Sequence, residues 1–159
     1  SVRFCRLRGV GVAGHRFDLG AVVDGYCSDM TRTVVVGTAS ERHREVYEHV
    51  LAAEEACIAA CVPGANGKEL DLLTRRILDR DDLSQYFTHG LGHGLGTLVH
   101  DCGRLSATDD QLLVTGQVWT IEPGVYIEGF GGVSIEDAIV VTDGRPEVLT
   151  HFPKQLLEL

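Results

Sequence analysis

The chain has 159 residues, 44% of them hydrophobic, and a formal net charge of −9 from 14 basic and 23 acidic side chains. That is one domain's worth of chain, long enough to bury roughly 68–70% of its unfolded surface without staples. The acidic balance argues against nucleic acid or an anionic membrane as partner, because neither gains from a negative surface; the acids are then either a solvated surface or carboxylates gathered around cations.

Residues 1–17 hold Arg3, Arg6, Arg8 and Arg16 and no acid. The run Val10-Gly11-Val12-Ala13-Gly14 is not amphipathic, which speaks against a transit peptide. No apolar run approaches the about 18 residues of a membrane span. Ser1 is not an initiator residue, so a processed start or a fragment is expected. Cys5, Cys27, Cys57, Cys61 and Cys102 form no C-x-x-C pair and fit a reducing, cytoplasmic setting. Cys57 and Cys61, four apart on an expected helix, read as small buried hydrophobes.

From Phe17 to Val36 the chain reads as a β-hairpin turning at Asp24-Gly25. A two-residue loop there sets Val23 opposite Tyr26, Gly20 opposite Asp29 and Asp18 opposite Thr31. Asp18 and Asp29 then share a face as diagonal neighbours, roughly 7–8 Å apart at the backbone. Two like charges so placed repel unless a cation or a proton separates them; two acids at a hairpin edge in water is the bland reading. Tyr26 reads as packing. A helix follows, with Thr38 and Glu41 as capping box and Val46, Val50, Ala53, Cys57 and Ala60 at helical spacing, ended by Pro63-Gly64. His43 and His49 belong on its exposed face. A second helix runs from about Gly67 to Leu78, with Asn66 as cap and Glu69 as its partner.

Between His89 and Gly96, glycine occupies every second position, which rules out a stable helix. Extended backbone there puts His89, Leu91 and His93 on one face. The glycines permit close approach to a ligand. Two more strands are expected, about 117–122 and 133–141. A hairpin centred on Gly129 brings Glu122 opposite Glu136, although Pro123 interrupts the first strand. Acids set in such apolar strands need partners when buried. The order of elements is α+β with mainly antiparallel pairing.

Asp18, Asp29, His93, Glu122 and Glu136 together make an oxygen-rich set with one imidazole, suited to Mn²⁺, Fe²⁺, Co²⁺ or Zn²⁺. Four carboxylates can bridge two ions roughly 3.5–4 Å apart, where a bridging water becomes a hydroxide that attacks a polarised carbonyl.

Four segments carry a resemblance: DLGAVVDGYCSDMTRT from Asp18, HGLGHGLGTLVHD from His89, TIEPGVY from Thr120 and GVSIEDAIVV from Gly132. In this order they resemble the metal-site motifs of pita-bread-fold metallopeptidases, the Xaa-Pro aminopeptidase and Xaa-Pro dipeptidase branch in particular. The ending from Phe152-Pro153-Lys154 to Leu159 is similar to that branch's terminus. The resemblance implies five metal ligands at Asp18, Asp29, His93, Glu122 and Glu136, with Asp29 and Glu136 bridging two divalent ions, manganese before cobalt, zinc or iron. It implies Glu122 as general base, and His89 and His100 as histidines that steady the substrate and relay protons. The substrate implied is a short peptide with proline second, and the reaction hydrolysis of its Xaa-Pro bond.

The sequence departs from the family in two places. Ser134 stands where the family commonly has an arginine beside the metal-binding acids, which is expected to loosen the site or alter its metal preference. The family's catalytic domain has two pseudo-symmetric halves, and the helices that precede the first hairpin are not seen. The expectation is an N-terminally truncated member, with 1–17 an atypical segment and 18–159 a partial catalytic domain, its uncovered faces apolar and inclined to homodimerise. Two competing readings follow: a catalytically impaired or merely peptide- and metal-binding remnant, and a same-fold hydrolase that works without metal, which five intact ligand positions disfavour.

Overall fold

The computed structural model describes residues 14–159, together with the backbone of two short strands, β1 (Val2–Arg3) and β2 (Arg8–Val10). Cys5 and seven other residues of the atypical segment 1–17 lie outside the described residues. The first hairpin pairs β3 (Gly14–Val23) with β4 (Tyr26–Cys27) and β5 (Met30–Val35), so it begins at Gly14 rather than at Phe17. Asp24 and Gly25 both have positive φ, 50° and 89°, as a two-residue turn of the twisted kind requires. The expected register holds on both sides of a break: Val23 pairs with Tyr26, and Asp18 with Thr31. In between, Ser28 presses so close that a Cβ on Gly20 would lie 2.1 Å from its carbonyl oxygen. Tyr26 stands 67% exposed at the hairpin tip, so it packs against little.

Helix α1 spans Glu41–Ala60 and α2 spans Gly67–Leu78. Asn66 caps α2 as expected, accepting from the amides of Lys68 and Glu69 at 2.9 and 3.3 Å. The cap of α1 is Ser40, with His43 as its reciprocal partner, and not Thr38 with Glu41. The reason is tertiary: Gly37 and Ala39 are bonded to Leu159 and Glu158 of the C-terminal strand β13 (Leu157–Glu158), which holds Thr38 outside the helix. His43 is half-buried and stacks on Phe130, with ring centroids 4.6 Å apart, and His49 is also half-buried.

After two 3-10 turns, Asp79–Asp81 and Ser84–Tyr86, the remaining regular elements are strands joined by irregular segments. β6 (Gly92–His93) pairs with β7 (Arg104–Leu105), and β8 (Val118–Ile121) with β11 (Asp137–Val140). Between the last two lies the hairpin of β9 (Gly124–Ile127) and β10 (Gly131–Ser134), turning through Gly129 at φ 78°. Its register continues across Pro123 into the β8–β11 ladder, where Asp137 faces Ile121. β12 (Glu147–Val148) closes that ladder and β13 lies parallel to β5. The architecture is α+β and mainly antiparallel, as expected. No helix among the described residues is long and apolar enough to cross a membrane.

The first half of α1 buries Val46, Val50 and Ala53 against Val125, Val133 and Ile135, and its last turn buries Cys57 and Cys61 with Trp119, Ile121 and Ile139. Both thiols are fully buried, and burial pushes Cys57 up to about 11 and Cys61 higher still, as inert core cysteines require. The glycine-rich segment departs from its expected form. Leu91 is fully buried in the core with Leu105 and Ile121 and does not share the face of His89 and His93, which line a cavity. A Cβ on Gly92 would lie 1.9 Å from Thr120 O, and one on Gly94 2.1 Å from Cys102 O. These glycines admit neighbouring backbone, and Gly90 and Gly92 also line the cavity. Gly92→Ala is therefore expected to lower stability by about 3 kcal/mol or more, because backbone on a paired strand cannot step aside; urea denaturation reads this directly.

Candidate metal centre

Asp18 projects from β3, Asp29 from the bend before β5 and His93 from β6, while Glu122 follows β8 and Glu136 precedes β11. Two junctions bring these elements together. Thr31 and Glu136 exchange backbone hydrogen bonds of 3.3 and 3.0 Å, joining the two hairpins. The Glu122 amide donates to Leu91 O at 2.8 Å, and the His93 amide donates to Thr120 Oγ1 at 3.0 Å, which fixes the histidine strand to β8. As a result, one donor atom each from Asp29, His93 and Glu136 lies within 4.8 Å of the others. His93 Nε2 is 3.4 Å from Glu122 Oε1 and 3.9 Å from Asp29 Oδ2. Asp18 and Glu122 stand with His93 where two hollows of about 510 and 280 Å³ adjoin.

The electrostatics of this cluster are unbalanced. Burial, and then Asp18, push Asp29 up to about 6; burial, and then Asp29 and Asp18, push Glu122 up to about 7. Glu136, 3% exposed, is raised well above the usual carboxylate range by burial and by Glu122, although Thr31 Oγ1 donates to it at 2.6 Å. Burial lowers His93, which is therefore neutral at pH 7. Its Nδ1 lies 3.0 Å from Gly94 O, an acceptor only, so the proton sits on Nδ1 and Nε2 turns its lone pair toward the carboxylates. Crowded carboxylates that resist ionising together, with one oriented neutral imidazole, are a donor set that fits hard divalent cations.

His89 and His100 also reach the cavity. His100 is exposed and meets the His93 ring edge-on at 4.2 Å. The His89 backbone is held by Arg75, which donates to His89 O and Phe87 O at 2.9 and 3.0 Å and is itself fixed by the buried Asp71 at 2.7 Å. Cavity residues that carried no role in the sequence analysis include Arg104, Ser106, Arg16, 3.4 Å from Asp18 Oδ2, and Tyr126, 3.1 Å from both Arg16 and His89 Nε2. Tyr126 sits four residues after Glu122 in a quoted motif; Arg16 carried no signal beyond its charge.

Behind the cluster lies a second set of charges. Arg32 donates to Glu136 O at 2.7 Å, Thr31 O at 2.9 Å and Asp137 Oδ1 at 2.7 Å. Lys154 Nζ lies 2.8 Å from both oxygens of the fully buried Glu54 and 2.5 Å from Asp137 Oδ2. Removing one partner of such a set leaves a buried charge unpaired. Lys154→Met should therefore cost about 3 kcal/mol in urea denaturation, and Glu54→Leu in the same chain should recover part of it.

Residues 16–143 match the profile of metallopeptidase family M24. An Xaa-Pro dipeptidase of Pyrococcus furiosus is 45% identical over 140 residues, covering 88% of this chain and 40% of that protein. Crystallised relatives include an X-Pro aminopeptidase of Thermotoga maritima (TM-score 0.89, 35% identity, 92% of this chain and 41% of that one). An Xaa-Pro dipeptidase of Bacillus anthracis superposes equally well (TM-score 0.89, 42% identity, 92% and 41%). The chain thus spans about 40% of the length of the relatives it matches, and the α+β pita-bread fold expected from the motifs is the fold observed.

The raised carboxylates set a pH dependence. Their folded pKa values, about 6 for Asp29 and about 7 for Glu122, exceed the ordinary 3.8 and 4.5. Stability of the metal-free protein is then greatest below about pH 4 as far as these groups are concerned, and is lost as pH rises through about 7. Urea midpoints of chelator-stripped protein should fall across that window. Mn²⁺ should abolish the fall, and Glu122→Gln should flatten it.

Proposed function

The chain belongs to metallopeptidase family M24, and on that footing we propose that it is a dinuclear metal-dependent aminopeptidase or dipeptidase that hydrolyses the Xaa-Pro bond of short peptides. The observation that carries this reading is the convergence of Asp29, His93 and Glu136 within 4.8 Å, with Glu122 and Asp18 beside them. Asp18, Asp29, His93, Glu122 and Glu136 would hold two divalent ions, with Asp29 and Glu136 shared. Manganese is the first candidate by resemblance to the family, and an oxygen-rich set with a single imidazole is compatible with it as with iron, cobalt or zinc. The chemistry two such ions would supply, when bound, is polarisation of a carbonyl and acidification of a water.

The protein's own groups handle the protons and the substrate. Proton transfer needs a carboxylate within reach of the attacking water, and Glu122 lines the cavity beside His93. Glu122 takes a proton from the attacking water and passes it to the proline nitrogen as the C–N bond breaks. His100, exposed at the mouth of the cavity, meets the peptide. The cavity of about 510 Å³ has the size of a small-ligand site.

A second reading, a metal- and peptide-binding remnant, draws on Ser134 at the position where the resembled family commonly carries an arginine. Calorimetry with Mn²⁺ separates the two: two ions per chain are expected, and one or none favours the remnant. Hydrolysis of Gly-Pro or Ala-Pro is expected with Mn²⁺ and not with chelator. Glu122→Gln should lower kcat by about 10²–10⁴-fold. A folded, metal-loaded protein without chelator-sensitive turnover would sink the proposal.

A further inference from the structure

Arg16 enters the large cavity from β3. Among the described residues it is the one arginine or lysine side chain paired with any of the four site carboxylates, through NH2 at 3.4 Å from Asp18 Oδ2. Its NH1 donates to the Tyr126 hydroxyl at 3.1 Å. A guanidinium has donors only, so the Tyr126 oxygen accepts and must send its own proton elsewhere. His89 Nε2 is 3.1 Å away. His89 Nδ1 lies 2.8 Å from Gly90 O, which only accepts, so Nδ1 carries the ring proton and Nε2 is free to receive from Tyr126. The donor directions from Arg16 to Asp18 and to Tyr126 are thereby set by chemistry, and His89 Nε2 stands open to the Tyr126 proton. The same arrangement occupies both nitrogens of His89.

Ser134 lies on β10, the strand packed beside β3. It is 2% exposed, with Oγ donating to Pro123 O at 3.3 Å, and it pairs across the hairpin with Gly124, where a Cβ would lie 2.5 Å from the Tyr126 hydroxyl. Position 134 thus faces the same tyrosine that Arg16 reaches from the other strand. The cation that a serine at 134 was expected to remove is present, but from another origin.

We propose that Arg16 and Tyr126 form a positioning pair that supplies from β3 the guanidinium absent at position 134, bracing Asp18 and aiming the Tyr126 proton at His89 Nε2. The inference rests on the site reading above, but its first readout is taken on metal-free protein and does not depend on turnover.

The experiment records imidazole ¹⁵N signals of the metal-free chain above the pH range of histidine titration. In the wild type, His89 Nε2 should show the shift of a hydrogen-bonded acceptor, and Tyr126→Phe should move it to that of a free lone pair. Arg16→Leu should move it the same way, because the released hydroxyl turns to the Asp18 carboxylate. Arg16→Lys keeps charge and bulk but cannot span both partners as a planar fork does, so it should also fail. Adding Ser134→Arg to Arg16→Leu should restore the acceptor shift. In turnover of Gly-Pro, Arg16→Leu should lose about tenfold in kcat/KM, the worth of one charge-assisted hydrogen bond, and the swap should return most of it. A merely structural arginine would change the unfolding midpoint and leave the Nε2 signal alone. An unmoved signal in Arg16→Leu and Arg16→Lys, or a swap that restores neither signal nor rate, overturns the proposal.

Discussion

Thr31 and Glu136 are 105 residues apart, yet they exchange two backbone hydrogen bonds and a third between their side chains. This junction is where the two hairpins meet, and the site exists because of it. Each hairpin by itself has one pair of acids and water on the other side. Once Thr31 is locked to Glu136, Asp29 comes to stand beside Glu136, and His93 closes on both from the strand that leans on β8. Arg32 guards the junction by capping the carbonyls of both partners, so no buried backbone acceptor there lacks a donor.

Strand alternation then divides the charge. Glu136 and Asp137 are neighbours, and they turn to opposite sides. On the far side, Asp137 and Glu54 are answered by Arg32 and Lys154, two acids against two bases. On the near side, Asp18, Asp29, Glu122 and Glu136 face Arg16 alone among arginine and lysine partners within the described residues. The compensated side stabilises the strand; the uncompensated side leaves carboxylates that hold protons or cations. Stability and function are thus separated by the thickness of one strand.

Much of this was legible beforehand because it is local. Asp24-Gly25 and Gly129 each specify a turn, a turn fixes a register, and a register decides which acids face each other. Asn66 was legible for the same reason. The Ser40 cap was not, since the choice between Thr38 and Ser40 is made by a C-terminal strand more than a hundred residues later. Leu91 was misplaced because a segment of alternating glycines is so crowded by Thr120 and Cys102 that it bends off a regular strand. Glu54 lies on a helix beside another acid, Glu55, and only the fold brings Lys154 over it.

The sequence by itself determined the two hairpin registers, the second helix and its cap, and the set of acids and histidines from which a site is made, because those depend on turn chemistry and on residue type. Only the tertiary structure decided which cations serve which acids, Arg16 inside the site and Lys154 behind it, and how the protons of His89 and His93 are arranged. Long flexible side chains carry no periodicity to betray their targets. The partner of a buried charge is whatever the fold brings within about 3–4 Å, and that distance is set by packing rather than by position in the chain.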